Sequence, residues 1–156
     1  EKSNRHEERY AIDLVKKYRE KSTGTTLGRI IDYQIPLKQV QADSGVGKVD
    51  LLAYHDDGKI ATLLELKRRD SGETLLRAVL EIYTYSKFVH KPNLFKSFDM
   101  PVGTRLRQAV LLFQGSKAAN ELSDSGSNVM KLMRALNVEV YIITDQDAYQ
   151  IEAVRA

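Results

Sequence analysis

Residues 47–69 read GKVDLLAYHDDGKIATLLELKRR, two apolar runs separated by His55-Asp56-Asp57-Gly58. An Asp-Gly pair between apolar runs is a strong signal for a β-hairpin, because both residues tolerate a positive φ. The sequence therefore predicts two paired strands, at residues 48–54 and 59–67. The first run is apolar on both of its faces, which is typical of a strand inside a sheet that helices cover from both sides.

These apolar strands contain three charged residues, Asp50, Glu65 and Lys67, that we single out. Residues two apart on a strand share a face, so Glu65 and Lys67 point to the same side of the sheet. A two-residue turn in the hairpin would set Asp50 directly opposite Glu65, a four-residue loop would set it diagonally, and a three-residue loop would break the arrangement. Two carboxylates that face each other about 5 Å apart repel. Such a break in a local rule indicates a functional site, where a divalent cation would relieve the repulsion.

The composition limits which cation such a site would hold. The chain contains no cysteine, and none of its three histidines stands at a metal-ligand spacing. Any metal is therefore held mainly by oxygen, which favours Mg²⁺, with Mn²⁺ as the other candidate, over zinc. A water bound to such an ion has a lowered pKa and becomes a nucleophile. Lys67 would polarise that water or stabilise charge that develops on a phosphate.

Apolar residues at helical spacing predict two long helices. The first covers residues 4–21, and its buried stripe is Ala11, Ile12, Val15 and Tyr18. The second covers residues 71–89 with Ser71 as its N-cap, and its buried stripe is Leu76, Val79, Leu80 and Tyr83. Pro92 lies just past the end of this second helix.

Further strands are predicted from short or alternating apolar runs at 29–40, 108–113, 138–144 and 148–154. Residues 91–107 are predicted to form a loop, and residues 116–136 a helix that a stretch rich in Ser and Gly interrupts. The predicted order is α-β-β-β-α-β-α-β-β. This order indicates a single α/β domain over residues 1–156, with a mixed central sheet flanked by helices.

The arrangement of Asp50 and Glu65-Leu66-Lys67 across a hairpin, between two helices, resembles the active-site motif of the PD-(D/E)XK, or restriction-endonuclease-like, nuclease superfamily. The likeness covers about residues 4–115. It implies an αβββαβ core, to which this chain adds a C-terminal helix and strands. It also implies Mg²⁺-dependent hydrolysis of phosphodiester bonds in DNA without a covalent enzyme intermediate. Val49 stands where the family name has proline, which is a frequent variation.

The resemblance also implies roles for individual residues. Asp50 and Glu65 correspond to the metal-binding carboxylates, the main-chain carbonyl of Leu66 to a further ligand, and Lys67 to the catalytic lysine. Members of the family often add a glutamate from the first helix. For that ligand Glu8 fits best, and Glu7 is the alternative.

The helix after the lysine carries a Gln or a Tyr in many exonuclease and resolvase-like members of the family. This chain departs from the pattern, because the Gln is absent and Glu81 stands near its place. Tyr83 and Tyr85 fall in the same region. The accessory candidates are therefore Glu81 and Tyr85, and the departure leaves the subfamily open.

Basic residues beside the motif and in the predicted loop at residues 91–107 are candidates for contacts with nucleic-acid phosphates, which add affinity that depends on salt. The net charge is +3 and the pI is near 9.0, a mild basic bias that is compatible with nucleic-acid binding. The candidates are Lys48, Arg68, Arg69, Lys91, Lys96, Arg105 and Arg107.

Two other functions fit the same sequence. A catalytically inactive domain of this fold would bind nucleic acid or a protein, and an unrelated α/β domain would hold Asp50 and Glu65 far apart. The expected partner is DNA, while RNA, a homodimer and a flanking domain stay open. No apolar run approaches membrane-spanning length and no signal-peptide pattern opens the chain, so we expect a cytoplasmic protein without a membrane partner.

Overall fold

A computed structural model describes residues 2–37 and 47–154 of the chain. Its helices are α1 (Lys2–Tyr18), α2 (Leu75–Phe88), α3 (Lys91–Ser97), α4 (Lys117–Asn120) and α5 (Asn128–Leu136), and a 3₁₀ turn spans Glu121–Ser123. Its strands are β1 (Arg29–Pro36), β2 (Lys48–His55), β3 (Ile60–Lys67), β4 (Arg105–Phe113), β5 (Val138–Asp145) and β6 (Gln150–Val154). The end predicted for the first strand, at residues 38–40, lies outside the described residues.

The described strands form one mixed sheet in the order β1-β2-β3-β4-β5-β6. β1, β2 and β3 are antiparallel neighbours, β3, β4 and β5 are parallel, and β6 is antiparallel to β5. Parallel neighbours require a long crossover, and helices α2 and α3 provide one between β3 and β4. The predicted α/β class with a mixed sheet is confirmed.

The hairpin between β2 and β3 has the register that a two-residue turn gives, the first of the three loop lengths considered above. Leu51 pairs with Leu64 and His55 pairs with Ile60. The N–H of Lys59 donates to the carbonyl of Asp56 across 3.4 Å and closes the turn. Continued by one pair beyond Leu51, this register sets Asp50 opposite Glu65.

Helices cover the sheet on both faces, because its central strands are apolar on both sides. Leu64 and Leu66 of β3 belong to the core that also contains Leu14 and Val15 of α1. Leu63 belongs to the opposite core, with residues of α2 and α5 that include Val79, Ile82 and Met133. Glu65 and Lys67 alternate with Leu64 and Leu66, so they face the α2 side. Among the described residues, none of the helices combines the length and the hydropathy that crossing a bilayer requires.

Helix α2 differs from its prediction in both start and phase. It begins at Leu75 with Thr74 as its N-cap, whereas Ser71 accepts the N–H of Glu73 in the preceding turn. The predicted buried stripe was wrong at two positions, because Leu76 and Leu80 are 43% and 44% exposed, whereas Val79 is buried as predicted. Two apolar stripes at helical spacing lie side by side on this helix, and packing against the sheet selects the neighbouring one, which contains Leu75, Ala78, Val79 and Ile82.

The predicted loop at residues 91–107 was also wrong, since it contains helix α3 and the first residues of β4. His90 caps α3 by accepting the N–H of Asn93, and Pro92 lies in the first helical turn. Proline suits that position because its missing N–H would have no helical partner there. Proline here therefore opens a helix instead of marking the end of the previous one. Helix α1 ends at Tyr18 rather than at the predicted residue 21.

Candidate active site

Strands β2 and β3 separate at Asp50. Their paired register ends at Leu51 and Leu64, and the N–H of Leu66 donates to Oδ2 of Asp50 across 2.8 Å. The amide and carbonyl of a strand residue face the same neighbouring strand, so the carbonyl of Leu66 also faces this gap. A side-chain carboxylate thus replaces the main-chain partner, and the sheet opens at the position of the predicted motif.

The neighbouring strand is distorted at the same level. Gln34 of β1 has a φ of 54°, between the paired residues Tyr33 and Ile35. A left-handed backbone in a residue other than glycine costs on the order of 1–3 kcal/mol, and such strain clusters at functional sites. The side chain of Gln34 lines the same cavity as Asp50.

The cavity beside this gap has a volume of about 650 Å³ and is lined mostly by charged side chains. It contains the predicted residues Asp50, Glu65, Lys67, Glu8, Lys48, Glu81 and Tyr85, together with Glu7, Ala11, Gln34, Glu73 and Arg77. Six carboxylates stand against three cationic side chains in this lining. The formal excess of negative charge would repel a phosphodiester unless cations offset it.

Lys67 occupies the centre of this charge cluster. Its Nζ lies 2.9 Å from Oε1 of Glu65 and 3.5 Å from Oε2 of Glu81, and it is ion-paired with Glu73. Burial disfavours its ammonium, but Glu65, Glu73 and Glu81 together raise the pKa of Lys67 above its ordinary value. The side chain is 4% exposed, so a charged ammonium is held in place inside the cavity.

Arg77 forms an outer layer around Lys67. Its Nε lies 2.9 Å from Glu81 and 3.4 Å from Glu73, each four residues away along the chain. Glu73 and Arg77 were not among the predicted site residues, and neither was Gln34. The sequence contained one signal for Glu73 and Arg77. An acidic and a basic residue four positions apart follow the strand that contains Glu65, Leu66 and Lys67, and this spacing favours an ion pair on a helix.

Asp50 and Glu65 bind protons more tightly than ordinary carboxyls. Burial raises the pKa of Asp50 to about 6, against the opposing effects of the Leu66 N–H and Lys67. Burial, the charge of Asp50 and a hydrogen bond with Glu81 raise the pKa of Glu65. Burial also acts on Glu81, but its hydrogen bonds with Glu65 and Arg77 hold the pKa of Glu81 below the ordinary value. Of these two hydrogen-bonded carboxyls, Glu65 therefore binds a proton more tightly than Glu81.

The first helix contributes two glutamates to the cavity. Glu7 and Glu8 both line it, so the two candidates for the metal ligand predicted from the first helix both lie at the cavity. Burial raises the pKa of Glu7 to about 7, with Lys67 opposing this shift and Asp50 adding to it. Glu7 therefore interacts electrostatically with both motif residues.

Tyr85 of α2 lines the cavity. An added Cβ on Gly47 would lie 3.2 Å from Cε1 and 3.3 Å from the hydroxyl of Tyr85, so the ring packs against the backbone at Gly47. Burial and the charge of Glu65 raise the pKa of Tyr85.

The predicted phosphate-binding residues lie in several separate parts of the structure. Lys48 lines the main cavity, and Arg68 and Arg69 line a separate one of about 550 Å³ with His6, Tyr10, Asp70, Gly115 and Gln146. Arg68 is ion-paired with Asp70 at 2.9 Å. Lys91 and Lys96 lie on α3 and line other cavities, and Arg107 is ion-paired with Glu139.

Arg105 lies far from the motif. It is the first residue of β4 and pairs with Ile60, whereas Glu65 and Lys67 pair with Val110 and Leu112. At about 3.3 Å per strand residue, Arg105 lies roughly 16 Å along the sheet from the level of Glu65. Arg105 therefore does not contribute to the cavity.

The oxygen donors of the cavity suit a hard divalent cation. Within residues 2–37 and 47–154, no group of three or more His, Asp and Glu side chains is already drawn together as a metal site. Asp50 and Glu65 nevertheless offer two carboxylates whose repulsion a cation would offset, and the carbonyl of Leu66 faces the same gap. No family model, curated protein or solved structure matches the chain.

Proposed function

We propose that this protein is a Mg²⁺-dependent nuclease of the PD-(D/E)XK superfamily that hydrolyses phosphodiester bonds in DNA. One observation carries the proposal: Asp50, Glu65 and Lys67 line one cavity at the point where β2 and β3 separate. The order α1-β1-β2-β3-α2-β4, with α3 inserted before β4, agrees with the restriction-endonuclease-like core.

In this proposal Asp50 and Glu65 would hold the cation, together with the carbonyl of Leu66 and either Glu7 or Glu8. When bound, Mg²⁺ supplies a water of lowered pKa and neutralises charge on the phosphate. The cation would also offset the negative charge of the carboxylates that line the cavity. A phosphodiester, which the carboxylates alone repel, would then be able to enter. Mn²⁺ suits the same donors.

The remaining residues would position and stabilise the reacting phosphate. Lys67 supplies a fixed positive charge where negative charge develops, and its ion pairs keep that charge in place. Glu73 and Glu81 hold Lys67, and Arg77 holds both glutamates. Hydrolysis joins the oxygen of water to phosphorus, breaks the bond to the leaving oxygen and delivers a proton to that oxygen.

One observation favours a second candidate, an inactive module of this fold that binds nucleic acid or a protein. The ammonium of Lys67 is already engaged by Glu65, Glu73 and Glu81, so the cluster satisfies its own charges. Titration calorimetry with Mg²⁺ or Mn²⁺ separates the candidates. An inactive module would show no heat that depends on Asp50 and Glu65.

The nuclease proposal is tested by incubating single-stranded, duplex, junction and RNA substrates with and without Mg²⁺. We expect cleavage that requires Mg²⁺ and that falls at least about 100-fold in the Lys67→Ala variant. Lys131→Ala, on the exposed side of α5, is the matched control and should cleave normally. Equal Mg²⁺-dependent cleavage by wild type and Lys67→Ala would exclude this site.

A further inference from the structure

Helix α2 has an apolar surface that faces away from the core. This surface lies next to the cavity that contains Asp50, Glu65 and Lys67, which we call the catalytic cavity in line with the proposed function. Leu76 and Leu80 lie one helical turn apart and are 43% and 44% exposed. They line a shallow groove of about 490 Å³. The other residues that line this groove are Thr74, Arg77, Glu81, Thr84 and Tyr85. The core is already filled by the other side of this helix, so these two leucines have no packing role there.

This groove, which we call the α2 groove, opens onto the catalytic cavity. Arg77, Glu81 and Tyr85 line both of them. A strand whose phosphate lies beside Lys67 would therefore continue directly into the α2 groove. Arg77 is 66% exposed at this boundary, where its guanidinium is accessible to a phosphate or to the face of a base.

We propose that the α2 groove receives an unpaired base next to the phosphate that is cleaved, and that the substrate is single-stranded rather than intact duplex DNA. This inference rests on the proposed nuclease function and names its substrate class. A duplex presents phosphates and groove edges to a protein, while the faces of its bases are covered by stacking. Only an unpaired base offers an apolar face that matches Leu76, Leu80 and the ring of Tyr85.

A second copy of the chain, or another protein, fits the α2 groove less well. Stable protein interfaces bury about 800 Å² per partner, far more than two partly exposed leucines supply. Phe88, which is also exposed, lies at the end of α2 and does not line the groove. A protein seated on the groove would also cover Arg77, Glu81 and Tyr85, and so close one wall of the catalytic cavity.

The test compares binding of a fluorescent oligonucleotide as a single strand and as a duplex of the same sequence. Lys67→Ala protein is used so that cleavage during titration is slowed at least about 100-fold, and the Leu76→Gln/Leu80→Gln double variant is made in that background. Val102→Gln is the matched control, because Val102 is an exposed apolar residue outside the α2 groove. Both leucines are on the surface, so the double variant should fold, which circular dichroism checks.

We expect the single strand to bind about tenfold more tightly than the duplex, and the double variant to lose about tenfold in affinity for the single strand alone. The control should bind both DNAs normally. Equal binding of both DNAs, or unchanged single-strand binding by the double variant, would overturn the inference. A wild-type dimer that the double variant converts to a monomer in sedimentation would also overturn it, in favour of a second copy.

Cleavage by the wild-type protein separates this inference from the nuclease function. Cleavage of duplex in preference to single strand would leave the nuclease function standing and overturn the inference. Absence of cleavage of any DNA, with tight single-strand binding that depends on Leu76 and Leu80, would overturn the nuclease function and support the α2 groove as a single-strand binding surface.

Discussion

The ammonium of Lys67 lies 2.9 Å from the carboxyl of Glu65, and the two side chains are only 4% and 6% exposed. The two residues are two positions apart on β3, so the pleat of the strand sets them on one face. A buried ion pair contributes little to stability compared with apolar residues of similar volume. The stability of the fold therefore does not by itself explain why this pair is buried.

The first prediction concerns the loss of this central charge. Lys67→Ala leaves Glu65, Glu73 and Glu81 without their shared cation, so we expect the free energy of unfolding at pH 8 to fall by about 3 kcal/mol. At pH 5 the loss should be smaller, because protonation removes part of the uncompensated charge. Urea unfolding at both pH values measures the difference. The exposed Lys131→Ala variant should unfold like wild type, and an equal effect in both variants would contradict a central role for Lys67.

The second prediction concerns Asp50 and pH. In the folded protein the pKa of Asp50 is raised to about 6 from its ordinary 3.8, so the folded chain holds this proton more tightly than the unfolded chain. The stabilisation is complete below about pH 4 and is lost as the pH rises through 6. Asparagine does not ionise, so the Asp50→Asn variant does not lose stability as the pH rises. Without added metal, this variant should be more stable than wild type by about 2–3 kcal/mol at pH 8 and differ little from it at pH 4.

Urea unfolding across this pH range is the measurement, with Asp57→Asn in the exposed hairpin turn as the control. A stabilisation by Asp50→Asn that stays constant from pH 4 to pH 8 would contradict the raised pKa. A matching gain in the Asp57→Asn control would show that the effect comes from overall charge instead of burial.

Local rules predicted the centre of the site on the condition that the hairpin loop had two or four residues. The observed register meets that condition, and the two-residue period of a strand then brings Asp50, Glu65 and Lys67 to one face. The phase of α2 could not be predicted in the same way. Its two apolar stripes both satisfy helical periodicity, and only contact with the sheet selects between them.

Other features depend on contacts between distant segments. The left-handed backbone of Gln34 could not be predicted from its residue type, because glutamine has no preference for a positive φ. The remote position of Arg105 could have been anticipated from topology. A helical crossover makes β4 parallel to β3, so the first residue of β4 lies at the end of the sheet opposite to Lys67.

The third prediction concerns Glu73, which holds Lys67 from outside the motif. Glu73→Gln removes one ion pair of Lys67 and one of Arg77 while keeping the size of the side chain. By analogy with groups that orient catalytic residues, we expect the rate of cleavage to fall about 10-fold to 100-fold with little change in DNA affinity. Single-turnover kinetics measure the rate, and Glu152→Gln on β6 is the exposed control. A loss confined to DNA binding would contradict a positioning role.

The fourth prediction separates the basic residues by their position. Arg69 lies two residues after Lys67 in the sequence, so Arg69→Ala should weaken DNA binding and reduce the slope of log affinity against log salt by about 1. Arg105 has the same charge but lies at the opposite end of the sheet, so Arg105→Ala should change neither quantity. Binding of a labelled oligonucleotide at several salt concentrations measures both slopes. An equal change in the two variants would mean that general positive charge, and not a phosphate path beside the cavity, attracts the DNA.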